Sequence, residues 1–118
     1  MKRIALAAAV AILLAAPAFA EDPMANYYGN TVIVIDAQGA VTHTHYNADH
    51  SFDGIAVASG YRYKGTWTIR SDGRLCHTFD PPLPGIDNPK CSPVGPLAVG
   101  QSWTGLDGSS GSLVQGII

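Results

Sequence analysis

Charge is scarce in this sequence. Lysine and arginine number seven, aspartate and glutamate nine, and the formal net charge is −2. No basic stripe is present, which excludes the electrostatic footprint of a nucleic-acid or anionic-membrane binder. Cysteine is scarcer still, with only Cys76 and Cys91. Two cysteines cannot supply a four-Cys zinc site, and they are not spaced as C-x-x-C. No serine sits in a G-x-S-x-G elbow and no phosphate-binding loop appears. Beyond residue 20 no segment repeats its apolar residues with a helical period. What is plentiful is glycine, with 13 residues, and proline, with eight, among β-branched and aromatic residues. That is the composition of an all-β chain.

The one long apolar run stands at the start. Lys2 and Arg3 precede an Ala/Leu-rich stretch from Ile4 to Ala16, and Ala18-Phe19-Ala20 is an A-x-A site. These are the parts of a secretory signal peptide cleaved after Ala20. The expected organisation is residues 1–20 as leader and 21–118 as a single β domain. The domain is then exported to the periplasm or secreted, with no membrane span in the mature chain. It is also more acidic than the full chain, because two of the seven bases leave with the leader. In an oxidising compartment the two cysteines are expected to form one disulfide, Cys76–Cys91.

Strands are legible through their turns. "YRYKGTWTIR", residues 61–70, alternates with period two. Tyr61, Tyr63, Gly65, Trp67 and Ile69 share one face, and Arg62, Lys64, Thr66, Thr68 and Arg70 the other. A three-residue Ser71-Asp72-Gly73 loop, with Gly73 left-handed, pairs Ile69 with Leu75, Trp67 with His77 and Gly65 with Phe79. It also pairs Thr68 with Cys76, which puts Cys76 on the outer face and sends the Pro-rich loop over the outside of the sheet. "TVIVIDAQGAV" reads as strand, turn, strand, with the first strand covered on both faces. A last hairpin is expected over Ser102 to Leu106 and Ser112 to Ile117. In all, about seven short strands form an antiparallel meander, closed as a barrel or folded as a sandwich.

Three of the four histidines fall in "THTHYNADHSF", residues 42–52. "NADHS" matches "RSDGR" in form, with His50 where Gly73 stands. An Ala48-Asp49-His50 loop pairs Tyr46 with Phe52, His45 with Asp53 and His43 with Ile55. His50 then takes the left-handed position at the tip. His43, His45 and Asp53 remain together on one face. Two imidazoles and a carboxylate are an acceptable metal set, but no fourth ligand is evident. The expectation is a strand and its turn, with no metal and no cofactor.

"YNADHSF", then "GTWTIRSDGRLC" with a second Cys after a Pro-rich loop, resembles a recurring pattern in small exported bacterial proteins of unknown function. The G-x-W element and the meander are similar to calycin-like barrels of the lipocalin and avidin type. The resemblance spans Tyr46 to Cys91 and implies a binding barrel. In lipocalins the G-x-W belongs to the first strand, whereas Gly65 and Trp67 lie mid-chain, so no ligand residues carry over.

The expected function is therefore non-enzymatic binding. One form is a small apolar ligand held by Tyr61, Tyr63, Trp67, His77 and Phe79 on the inner face. Another is a partner protein docked on the Pro-rich loop 81–96, in the manner of barrel-type protease inhibitors. A third is metal binding through His43, His45 and Asp53. A void beside Trp67 and His77 favours the first; a filled core with an exposed apolar loop tip favours the second.

Overall fold

In the computed structural model, residues 22–94, 97–105 and 107–118 are described; the expected leader lies outside them. Five-residue turns organise the sheet. In residues 36–40, 47–51, 70–74 and 105–109 the first residue's N–H donates to the fifth residue's carbonyl. The fourth residue's N–H returns to the first residue's carbonyl. The fourth residue is left-handed each time: Gly39 at φ 87°, His50 at 72°, Gly73 at 83° and Gly108 at 86°. In three of these turns an aspartate at the third position, Asp49, Asp72 or Asp107, accepts from the fifth residue's N–H. An adjacent Asp-Gly or Asp-His pair thus encodes three of these chain reversals locally.

The described residues include eight strands, four successive pairs of which these turns join: β1 (Thr31–Ile35), β2 (Val41–Tyr46), β3 (Ser51–Ala56), β4 (Tyr61–Ile69), β5 (Arg74–Phe79), β6 (Lys90–Pro93), β7 (Ser102–Thr104) and β8 (Ser110–Val114). They form one antiparallel sheet in the order β6-β5-β4-β3-β2-β1-β8-β7, curled into a half-barrel. A single sheet replaces the sandwich alternative, and β6 and β7 are its two edges. The registers read from the turns hold: Trp67 faces His77, Gly65 faces Phe79, Tyr46 faces Phe52 and His45 faces Asp53.

Three expectations are corrected. The Pro-rich loop does not pass over the outside of the sheet. It returns as β6, an edge strand in which Cys91 lies directly opposite Cys76. The disulfide (S–S 2.01 Å) joins these neighbours on the outer face. Cys76 is nonetheless buried, and a guanidinium N–H of Arg70 lies 3.7 Å from the Cys91 sulfur. Secondly, the strands of the last hairpin are shorter and displaced, because hydrogen bonds of Gly105 with Ser109 and Gly108 close the reversal between them; Leu106 falls outside the described residues. Thirdly, β1 is not covered throughout: Val32 is buried but Ile35 is 42% exposed.

The core lies on the inner face. Val32, Tyr46, Phe52, Trp67, Leu75 and Leu113 come from six different strands. Met24 and Tyr27, from a 3₁₀ turn at Ala25–Tyr27 and the residue before it, join them. This short segment has no counterpart in the strand pattern, yet Met24 is fully buried.

Replacing both cysteines by serine should lower stability by up to about 3 kcal/mol in the chain-entropy account. The bracketed segment holds four prolines and is stiff when unfolded, so the loss should fall below that ceiling. Urea denaturation of oxidised and double-Ser protein measures it, and a loss above the ceiling would show that the bridge also supports β6.

Candidate functional site

The inner face carries the aromatic residues expected to meet a ligand, and all but Tyr61 have ring contacts with other aromatic side chains of the protein. Trp67 is buried, and its indole N–H donates to the Asn47 carbonyl at 3.1 Å. Phe52 packs edge-on to Phe79 (5.4 Å between centroids) and to His77 (5.0 Å). Tyr63 lies across Gly54, which has no side chain to obstruct it, and its hydroxyl reaches Thr44 Oγ1 at 2.7 Å. Tyr61 is half exposed at the strand end. Of the five expected ligand-facing residues, Tyr63, Trp67, His77 and Phe79 fill the interior or flank it, while Tyr61 faces solvent.

His77 is held as a neutral imidazole. Its Nε2 lies 2.6 Å from the Tyr46 hydroxyl. Burial keeps the Tyr46 phenol protonated, so it donates and Nε2 accepts. Burial also lowers the pKa of His77, against the opposing effect of a backbone hydrogen bond to Lys90. The folded state therefore resists a proton that the unfolded chain accepts. The contribution of His77 is intact above the ordinary imidazole value of about 6.5 and is lost as pH falls below it. The stability lost between pH 7.5 and pH 5 should be smaller in His77→Gln than in the parent, as compared by urea titration at both values.

His50 does more than occupy a turn. Its ring stacks on Trp67 at 4.1 Å and 12°, and its carbonyl accepts from the Trp67 backbone N–H. The other three equivalent turns have glycine at this position. His50→Gly removes left-handed strain worth about 1–2 kcal/mol and a ring stack worth about 0.5–1.5 kcal/mol, so it should be nearly neutral. His50→Ala loses the stack and keeps the strain, and should cost about 1 kcal/mol more than Gly. Equal thermal midpoints for the two variants would remove the strain argument.

A broad open depression of about 660 Å³ lies over Gly65, bordered by Phe52, Lys64, Thr78, Phe79 and Pro82. It reaches neither Trp67 nor His77, and of the expected ligand-facing residues only Phe79 lines it. On the outer face, His45 and Asp53 form a hydrogen-bonded pair at 2.8 Å. His43 shares their face. Among the described residues no group of three or more His, Cys, Asp or Glu side chains converges as a metal site.

The third place is the loop between β5 and β6. Asn88 closes its base with two hydrogen bonds to one residue. Its Oδ1 accepts from the Phe79 N–H at 2.8 Å, and its amide donates to the Phe79 carbonyl at 3.1 Å. Above this clamp Ile86 N–H donates to the Leu83 carbonyl around a left-handed Gly85. Ile86 is 40% exposed at the tip. The expected region 81–96 narrows to 81–89, because Lys90–Pro93 belong to β6 and residues 95 and 96 lie outside the described residues.

Comparison with protein-family models, curated proteins and solved structures finds no match to this chain. The geometry of its own residues is what bears on function.

Proposed function

We propose that the chain is an exported, non-enzymatic binding module that recognises a partner protein through loop 81–89. One observation carries this reading: the loop is closed by the Asn88 clamp and the Cys76–Cys91 disulfide, and it holds an apolar side chain, Ile86, in solvent. An ordered loop loses little conformational entropy on binding, so more of the contact energy becomes affinity. An apolar tip supplies the anchor that a partner's pocket would desolvate. Export follows from the reading of residues 1–20 as a leader. A small apolar ligand on the inner face has less support, because aromatic side chains occupy that face.

The test places a photo-crosslinking amino acid at position 86, with Ser59 in the β3–β4 turn as a control position. The protein is expressed with its own leader in its native host. The expected result is one discrete protein adduct at position 86, competed by excess unlabelled protein and not by its Ile86→Asp variant. Equal labelling from position 59 would overturn the proposal. So would a small molecule retained by the purified protein in native mass spectrometry.

A further inference from the structure

The two edges of the sheet are built differently. At β6, Cys76 and Cys91 lie with their Cα atoms 4.0 Å apart. That is the close spacing of a non-hydrogen-bonded antiparallel pair, so the N–H and C=O of Cys91 point away from β5. Arg74 already donates to that carbonyl at 3.1 Å. Pro93, the next residue of β6 to face outward, has no N–H, and Pro89 precedes the strand. Proline and cationic side chains are the usual guards of a sheet edge.

The other edge, β7, has no such guard. Gly105 N–H donates to the Ser109 carbonyl, and Leu113 N–H to the Gln101 carbonyl. Between these two bonds the antiparallel ladder alternates. Trp103 is therefore bonded to Gly111, while Ser102 and Thr104 direct their N–H and C=O groups away from β8. Among the described residues no strand lies beyond β7 to take them. Residues 97–105 hold no charged side chain and no proline. Trp103 is 38% exposed, with its ring laid over the bare Gly111.

We propose that β7 is a self-association edge, which pairs antiparallel with β7 of a second copy of this chain about a two-fold axis at Trp103. The register follows from which groups are free. Ser102 N–H meets the Thr104 carbonyl of the second copy, and the second copy's Thr104 N–H meets the Ser102 carbonyl. The axis repeats both bonds, so every outward polar group of β7 is paired. Trp103 faces its own counterpart in a non-hydrogen-bonded pair, where cross-strand side chains come closest. Self-pairing sets like against like, and a charged edge would repel itself; this edge carries no charge. Pairing consumes β7 in both copies and leaves two guarded β6 strands as the outer edges, so assembly stops at two. A strand of three residues buries little surface, which places the dimer among transient assemblies that form at high concentration. Loop 81–89 adjoins β6, at the opposite edge of the sheet, so the two contacts are independent.

The experiment is sedimentation velocity of the oxidised protein from about 10 µM to about 1 mM, with amide hydrogen exchange read by NMR at both limits. The sedimentation coefficient should rise to that of a dimer and no further. Exchange of the Ser102 and Thr104 amides should become roughly tenfold slower at the upper limit, while that of Cys91 is unchanged. Thr104→Pro removes an outward N–H and no bond to β8, and Thr104→Lys places a charge on the edge. Both should remain monomeric at every concentration with the parent's circular dichroism. A parent that stays monomeric at the upper limit would overturn the proposal. So would association that survives in both Thr104 variants, species larger than a dimer, or slowed exchange at Cys91. The exchange measurement uses the parent alone, so it decides the question even where a variant fails to fold.

Discussion

Phe52→Ala should remove a large share of the domain's folding free energy. Phe52 is 2% exposed and packs against Tyr46, Tyr63, His77 and Phe79. Truncating a buried phenylalanine costs about 3–5 kcal/mol, because the apolar transfer term and the cavity term add. A domain of this size has about 5–15 kcal/mol of stability in total, so the loss is a large share of it. Collapse around the void is hindered by Phe79 and His77, which hold stacked positions on β5, beyond the bare Gly65 of β4. The void would also open into the depression over Gly65, which Phe52 already borders, and admit water. Urea denaturation followed by Trp67 fluorescence measures the change, with Phe52→Leu as a milder partner costing about 1–1.5 kcal/mol. A loss below about 1 kcal/mol for Phe52→Ala would mean that the inner face is not a packed core.

Gly65→Ala should cost almost as much, about 3 kcal/mol, although it adds a single methyl group. A Cβ at this position would lie inside contact distance of the Thr78 carbonyl oxygen. That atom belongs to the paired strand and cannot swing aside as a side chain would, so β4 and β5 would have to separate locally. Phe52 Cε1, 3.1 Å away, limits retreat on the other side. Gly54 provides the comparison. The nearest atoms a Cβ there would meet are those of the Tyr63 phenol, which can rotate away at the expense of its hydrogen bond to Thr44. Gly54→Ala should therefore cost less, about 1–2 kcal/mol. Gly73→Ala, in a left-handed turn with open space around it, should cost about 1 kcal/mol. Thermal unfolding of the three variants orders them, and a Gly65→Ala midpoint above that of Gly54→Ala would contradict the close approach of the strands.

How far the fold could be read from the sequence differs by element. Turns 47–51 and 70–74 were legible because an adjacent Asp-His or Asp-Gly pair fixes a local conformation, and period two then propagates the register along β2 to β5. β6 was not legible, because Lys-Cys-Ser-Pro has no alternation; the sheet edge and the disulfide make it a strand. Periodicity identified the inner face correctly but not what covers it. Met24 and Tyr27 arrive from a segment with no strand or helix pattern, and they help convert an apparent ligand wall into a core. The His43, His45 and Asp53 grouping was visible as a shared face. One contact of His45, the Ile118 oxygen, lies 73 positions away in sequence and only the folded chain brings it there. The stacking of His50 on Trp67 was hidden for the same reason.

The spatial order of the strands also constrains the timetable of assembly. From β1 to β6 each strand pairs with its predecessor, so each can zip onto an existing edge as synthesis proceeds, closing only short loops. β1 is the exception, because its second partner is β8, with Val32 opposite Leu113. Until the final segment of the chain has emerged, β1 is an open edge carrying Val32, Ile33 and Val34, the kind of strand that recruits a neighbouring molecule. A chain stopped before residue 110 would leave that edge permanently exposed. The last pairing to form is then the step that ends the vulnerability of the nascent protein to aggregation.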